Sequence, residues 1–219
     1  MLYVITIDGP ASSGKGTVAK LIAKALNFAY LDSGAIYRSL AYACSLNKLD
    51  MEQKTQILNL IDKIKLEFVD GQIFLNEVNV TNLIRDEQIG MFASKLAKDP
   101  DIRQRLLNFQ RTFAGSHSLV TDGRDMGSVV FPNATLKVFL TASAQTRAQR
   151  RYEQLQLLGK SAKIADILDD ITLRDRQDSS RSTAPLRYDS SFKVLDNSNL
   201  SVEDTAFQIL EWFRQIITN

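Results

Sequence analysis

Residues Gly9 to Thr17 read Gly-Pro-Ala-Ser-Ser-Gly-Lys-Gly-Thr and directly follow an apolar run from Leu2 to Ile7. A strand running into G-x-x-x-x-G-K and then a helix is the arrangement that turns backbone N–H groups inward around phosphate oxygens. The helix that follows points the positive end of its dipole at the same anion. Lys15 supplies a mobile point charge for the outer phosphates. A Gly/Ser turn could match the spacing alone, but not the strand, the lysine and the helix together. Gly9, Pro10, Ala11, Ser12, Ser13, Gly14, Lys15, Gly16 and Thr17 are therefore expected to bind a nucleoside triphosphate.

Phosphoryl transfer needs little covalent help; it needs positioning and positive charge around the migrating group. The chain places arginines in three polar motifs: Asp32-Ser33-Gly34-Ala35-Ile36-Tyr37-Arg38, Asp122-Gly123-Arg124-Asp125-Met126-Gly127 and Arg174-Asp175-Arg176-Gln177-Asp178-Ser179-Ser180-Arg181. The first two follow strand-like runs. Loops after strand ends converge at one edge of an α/β sheet, where ligands bind. Arg147, Arg150 and Arg151 are read equally well as site residues and as a solvated helix face. Asp122 ends an apolar run, as an acidic residue serving a phosphate-bound metal does; a cap or turn aspartate is the plainer alternative. The residue after Lys15 is Gly16, so the hydroxyl that usually reaches Mg²⁺ is missing, and the metal is expected to be held mainly by phosphate oxygens and water. His117, the only histidine, has no partner cluster and reads as a surface-loop residue.

The elements that must position these groups alternate in type. Strands are expected at Leu2–Ile7, Phe28–Leu31, Leu119–Thr121, Leu136–Leu140 and Lys193–Leu195. Helices are expected at Lys15–Leu26, Ile36–Leu46, Met51–Ile64, Ile84–Leu96, Ile102–Phe113, from about Arg147 to Leu158, and at Ile164–Arg176. Pro100 reads as a break, residues 178–183 as a polar stretch after a helix, and Ser201-Val-Glu-Asp204 as a capping box opening the last helix. Leu66–Val69, Ile73–Leu75 and Val78–Val80 form a separate antiparallel unit with tight turns. The alternation implies right-handed crossovers and a parallel sheet.

The bulk properties fit one α/β domain of 219 residues. A formal charge of +2 with dispersed Lys and Arg argues against a nucleic-acid partner. The single cysteine, Cys44, cannot form an internal disulfide and reads as a core residue in a reducing cytosol. The N-terminus lacks a basic region and a cleavage site, and no apolar stretch approaches the ~20 residues of a membrane span, so a cytoplasmic chain without a membrane partner is expected. Asn79, Asn133 and Asn199 match the glycosylation pattern, by chance in such a compartment.

Taken together, Gly-Pro-x-x-x-Gly-Lys-Gly-Thr, Asp-Ser-Gly-Ala-Ile-Tyr-Arg (32–38), Asp-Gly-Arg-Asp-Met-Gly-Ser-Val-Val-Phe-Pro (122–132) and Arg-Asp-x-x-Asp-x-x-Arg-x-x-x-Pro-Leu (174–186) resemble the bacterial cytidylate kinases, in their long form, nearly end to end. The resemblance implies a P-loop NTPase-type fold: a parallel five-stranded sheet flanked by helices, a small antiparallel β insert in a nucleoside-monophosphate-binding subdomain, and a helical lid. It implies one kinase domain over 1–219, with core segments at about 1–35, 115–155 and 186–219, a monophosphate-binding subdomain at about 36–114 with its insert at 64–85, and a lid at about 156–185. It implies transfer of the γ-phosphate of ATP, with Mg²⁺, to CMP or dCMP. Lys15, Arg124, Arg174, Arg176 and Arg181 would be catalytic. Ser33 would touch the ribose-phosphate region, and Arg38 and Arg124 would grip the acceptor phosphate. Ser94, Arg103 and Asp125 would read cytosine, Asp178 would bind the pentose hydroxyls, and Arg181 would reach the phosphates. Asp122 would serve the metal indirectly. An Asp acceptor facing the cytosine 4-amino donor would favour cytosine over uracil. In the lid, Gln177 stands where relatives often carry Arg or Lys, which leaves Arg174 and Arg176 both open as the arginine facing the transferring group.

Two other readings compete. Asn47-Lys48-Leu49-Asp50 matches the guanine-reading N-K-x-D of a GTPase switch, but it comes only about thirty residues after Lys15 and before any strand-end Asp motif. A shikimate-type small-molecule kinase needs no cytosine reader, so Ser94, Arg103 and Asp125 separate it from the first reading. The expected protein is a monomer whose insert and Arg-rich lid close over two nucleotides and exclude water.

Overall fold

A computed structural model describes residues 2–69, 71–115, 117–157, 159–180 and 184–218. In chain order the strands are β1 (Val4–Asp8), β2 (Ala29–Asp32), β3 (Leu66–Val69), β4 (Gln72–Leu75), β5 (Val78–Asn79), β6 (Leu119–Gly123), β7 (Leu136–Thr141) and β8 (Lys193–Asp196). The helices are α1 (Lys15–Leu26), α2 (Ser33–Leu46), α3 (Lys54–Ile61), α4 (Glu87–Leu96), α5 (Pro100–Phe113), α6 (Ala144–Leu157), α7 (Ile164–Ser180) and α8 (Val202–Thr218). Five strands form one sheet in the order β2-β6-β1-β7-β8. β1 lies at its centre, parallel to β6 and β7, and β8 runs parallel to β7.

The chain divides into two compact units, Met1–Tyr30 with His117–Asn219, and Leu31–Ser116. In the first, α1 and α8 bury Val18, Ile22, Ile209 and Phe213 against Ile5, Ile7, Val138 and Leu140 of the sheet. Strands buried on both faces read as continuous apolar runs, which is why β1 and β7 are legible as sequence. Phe213 is 2 % exposed and meets the rings of Tyr3 and Phe28 edge-on; truncating such a side chain to Ala costs ~3–5 kcal/mol. Parallel register places Asp8 opposite Gly123 and Phe139, so the C-terminal ends of β1, β6 and β7 share one edge.

In the second unit β3, β4 and β5 form a separate antiparallel sheet. Asn76 and Glu77 both have positive φ and join paired Leu75 and Val78, the two-residue turn whose twist suits a hairpin. Ile73, Leu75, Val80 and Ile84 pack with Ala35 and Ala43 of α2.

Several boundaries differ from expectation. The chain does break between α4 and α5 as expected, but α5 starts at Pro100 and not at Ile102, behind Asp99, whose side chain accepts from the N–H of Asp101 and Ile102. At a helix start the missing proline N–H costs nothing. The expected helix at 84 is a 3₁₀ turn at Leu83–Arg85 followed by α4, with Asp86 capping the latter. α2 begins at Ser33, earlier than its apolar stripe, because Asp32 accepts from the N–H of Ala35. The expected helix at 51–64 is a 3₁₀ turn at Met51–Gln53 and then α3. α7 runs through Ser180, so Asp178 is helical and not part of a polar loop. Ser201 accepts from the N–H of Asp204 as the expected box requires, while the Asp204 carboxylate takes the Ser201 hydroxyl. Met126–Val130 forms a π-helical turn that the sequence did not announce. Among the described residues no helix is long and apolar enough to cross a membrane.

Candidate active site

The loop between β1 and α1 is shaped by two left-handed residues, Ser12 (φ 59°) and Gly14 (φ 85°). Glycine adopts this conformation without strain, and successive N–H groups in such a turn point into a concavity that suits an anion. Gly14 is also the N-cap of α1 and offers no side chain, so no cap competes for the first N–H groups of the helix. Lys15 is nearly buried, with Nζ donating to the carbonyl of Pro10 in the same loop. Ser13 is fully buried, and among the described residues its Oγ has no hydrogen-bond partner. A buried hydroxyl without a partner costs free energy, and a phosphate oxygen in the loop would satisfy it.

Two carboxylates flank this loop. Asp122, at the end of β6, accepts from the Tyr30 hydroxyl at 2.6 Å. A Cβ at Gly16 would lie 3.7 Å from both Asp122 oxygens. The absence of a hydroxyl residue after Lys15 therefore brings the first turn of α1 close to a hard oxygen donor, of the type that serves Mg²⁺. Among the described residues no three His, Cys, Asp or Glu side chains gather as a metal cluster. Asp8, at the end of β1, is fully buried, and its two oxygens accept the N–H groups of Met126 and Gly127 at 2.8 and 2.7 Å. Burial pushes its carboxyl up to about 7, against the pull of those two N–H groups and of Lys15 and with the repulsion of Asp125 added. It fixes the chain directly after Arg124 and Asp125. Nothing in our sequence reading singled Asp8 out, although an acid ending an apolar strand is the pattern that drew attention to Asp122.

The arginines sort clearly. Arg124 donates from Nε to Asp178 Oδ2 at 2.6 Å, joining two expected substrate residues. Arg147 is not on a solvated face: it is buried, and its guanidinium holds the carbonyls of Ala142 and Ala11 and both oxygens of Asp175. Arg150 reaches the side chain and carbonyl of Asn197, and Asn197 Nδ2 in turn donates to the carbonyl of Ser13. Arg151 is half-buried, with Nη1 donating to Gln154. Asp175 and Asn197 were not picked out beforehand; their role depends on partners distant in sequence. Arg174 is half-buried and Arg176 exposed on α7. Arg181 lies outside the described residues.

Within the second unit, Ser33 is buried in the first turn of α2. Arg38, one turn further on, donates to the carbonyls of Ile84 and Asp86. Its guanidinium lies so close to Gly90 of α4 that a Cβ there would come within 2.6 Å of Nη2. Ser94, exposed, is one turn along α4 from Gly90 and shares its face. Arg103 donates to the carbonyl of Ala97, and its guanidinium lies over the Tyr37 ring at 5.9 Å. Asn47-Lys48-Leu49-Asp50 is a helix connector: Asn47 caps α2 and bonds the carbonyl of Ala43, Lys48 has φ 54°, and Asp50 forms a capping box with Gln53. The Asn47 and Asp50 side chains are spent on backbone, which removes the ground for a guanine reader. Cys44 is buried, its thiol pushed up to about 11, and His117 is exposed before β6.

The cytidylate kinase family model matches residues 5–215 of the chain. A cytidylate kinase of Polynucleobacter asymbioticus is 49% identical over 214 residues, 98% of this chain and 97% of that protein. One of Polynucleobacter necessarius subsp. necessarius is 50% identical over 210 residues, 96% and 98%. In fold alone, a gluconokinase of Sinorhizobium meliloti 1021 superposes with a TM-score of 0.50 at 15% identity, over 98% of this chain and 93% of that one.

Proposed function

The chain belongs to the cytidylate kinase family and has that family's activity as a nucleoside monophosphate kinase using ATP; on that premise we propose how its residues divide the work. The observation that carries the assignment of roles is the junction at the ends of β1 and β6. There the phosphate loop, with Lys15 and the Ser13 hydroxyl that has no partner among the described residues, and the Asp8-anchored Arg124-Asp125 pair belong to one unit.

ATP binds with its β- and γ-phosphates against the N–H groups of residues 9–17, Lys15 and Ser13. Asp122, beside the first turn of α1, would serve a Mg²⁺ held mainly by phosphate oxygens and water, and such an ion would supply charge neutralisation at the phosphates. CMP or dCMP binds through Ser33, Arg38, Ser94, Arg103, Arg124, Asp125, Asp178 and Arg181. A phosphate oxygen of the acceptor forms a bond to Pγ as the bond from Pγ to the β–γ bridging oxygen breaks, and ADP leaves. The acceptor phosphate is already ionised, so no general base is required, and catalysis is positioning with positive charge. Asp125 accepts from the cytosine 4-amino group, which uracil lacks.

Lid geometry favours Arg174 over Arg176 as the arginine facing the transferring group. Asp175 and Asp178, bonded to Arg147 and Arg124, mark the inward face of α7. At ~100° per residue, Arg174 lies ~40° from Asp178, whereas Arg176 lies ~100° beyond Asp175 on the far side. Residues 36–114 form the monophosphate-binding subdomain and 156–185 the lid of a monomeric, cytoplasmic enzyme; both close over the nucleotides and exclude water. Compaction in small-angle scattering on adding a bisubstrate analogue checks closure and monomeric mass together.

A coupled ADP-release assay with Mg-ATP and CMP, dCMP, UMP, AMP, GMP and shikimate tests the assignment, run on the wild type and Asp125→Ala. Turnover strongest with CMP and dCMP is expected, with the CMP-over-UMP preference lost in the variant. Unchanged selectivity would remove Asp125 from the base-reading role, and turnover with none of the six would remove the substrate assignment.

A further inference from the structure

One guanidinium in this fold joins three segments that the chemistry needs held together. Arg147, in the first turn of α6, is 5 % exposed. Its Nε donates to the carbonyl of Ala142 at 3.0 Å and its Nη1 to the carbonyl of Ala11, inside the phosphate loop, at 3.1 Å. Both terminal nitrogens then meet Asp175 of α7, at 3.1 Å to Oδ1 and 2.6 Å to Oδ2. A planar fork can hold a carboxylate on both oxygens and still keep donors for two carbonyls; lysine cannot. Asp175 lies between Arg174 and Arg176, so the azimuth of Asp175 sets where both point.

We propose that Arg147 and Asp175 are positioning residues for phosphoryl transfer: their bidentate pair fixes α7 against the phosphate loop at Ala11, and so sets the reach of Arg174 toward the migrating phosphoryl group. The proposal rests on the lid assignment above. The proposal gives neither residue a contact to a nucleotide. The pair acts through α7 at one end and the loop carbonyl at the other, and removing it lets α7 rotate without emptying either nucleotide site. A catalytic arginine misplaced by about 1 Å costs on the order of a hundredfold in rate, while ground-state binding of CMP and ATP, carried by other residues, is spared.

The test is a double-mutant cycle of Arg147→Lys and Asp175→Asn, read as kcat, KM for CMP and KM for ATP, with a thermal melt of each variant. Asp175→Asn is expected to lower kcat by about tenfold or more with both KM values within about threefold, and the double variant to be no slower than the slower single. A merely structural pair would lower the melting temperature and leave kcat of the folded protein within about threefold, and that result overturns the proposal, as do losses that multiply independently in the double variant. If Arg147→Lys does not fold, Asp175→Glu decides: partial recovery of kcat over Asp175→Asn is expected, and no recovery overturns the proposal. Wild-type protein that fails to phosphorylate CMP would sink the substrate assignment instead, a separate outcome read before any variant.

Discussion

Arg124 Nε lies 2.6 Å from Asp178 Oδ2, so the end of β6 and the third-last residue of α7 are joined by a charge-assisted hydrogen bond. Both side chains are about a quarter exposed, and the pair is screened enough to exchange partners when substrate enters. Asp178 thus orients Arg124, and in the proposed assignment it also offers an acceptor to the pentose. Asp178→Ala removes both functions on the CMP side and neither on the ATP side. KM for CMP is expected to rise about tenfold or more, with KM for ATP within about threefold, in steady-state assays varying one substrate at a time.

Gly90 gives a sharper steric test of Arg38. The guanidinium occupies the space of a missing Cβ, with Nη2, Nη1 and Cζ at 2.6, 2.9 and 3.0 Å from that position. Gly90 is helical, and Ala there improves helix propensity by ~1 kcal/mol, so the variant is expected to fold. Gly90→Ala must therefore push Arg38 off the carbonyls of Ile84 and Asp86. A rise of about tenfold in KM for CMP is expected with an undiminished melting temperature. An unchanged KM would separate Arg38 from the acceptor phosphate.

On α7 the two arginines beside Asp175 should differ strongly. Arg174 shares the face of Asp178, which bonds Arg124, whereas Arg176 is exposed. Arg174→Ala is expected to lower kcat by about a hundredfold or more, the scale of one lost transition-state donor, and Arg176→Ala by less than about threefold. Equal losses, measured at saturating CMP and ATP, would mean that both reach the phosphates.

The sequence carried the sheet and the phosphate loop because both are local. β1 and β7 are mostly apolar runs, and the loop compresses its chemistry into nine residues. The substrate residues are assigned by the resemblance alone. Roles made by distant partners stayed hidden: Arg147 reads equally as a site residue and as a helix-face charge until Asp175 and Ala11 are brought beside it, 28 and 136 residues away. Asp8 falls just outside the expected strand Leu2–Ile7 and carries no role until the N–H groups of Met126 and Gly127 arrive, 118 and 119 residues on. Helix starts were misjudged where a cap overrode the apolar stripe, at Asp32 and at Asp99 with Pro100, because capping is set by one side chain and periodicity averages over many.

Asp8 links that hidden architecture to pH. Its carboxyl is pushed from an ordinary 3.8 up to about 7, first by burial, with Asp125 adding to the rise and the two N–H groups and Lys15 opposing it. Between about pH 4 and 7 the native state therefore holds a proton that the unfolded chain has released. Stability falls with rising pH wherever the native state binds more protons, so this group's contribution is fully present below about 4, declines across that window and is flat above about 7. Asp8→Asn has no titration there. It keeps one acceptor for the two N–H groups and faces the other with an amide, which costs ~1–3 kcal/mol. Urea unfolding of both proteins at pH 5, 6, 7 and 8 should show the wild-type advantage over Asp8→Asn shrinking from pH 5 to 7 and constant from there. An advantage independent of pH over the whole range would mean that Asp8 is ionised throughout, with the two N–H groups outweighing burial.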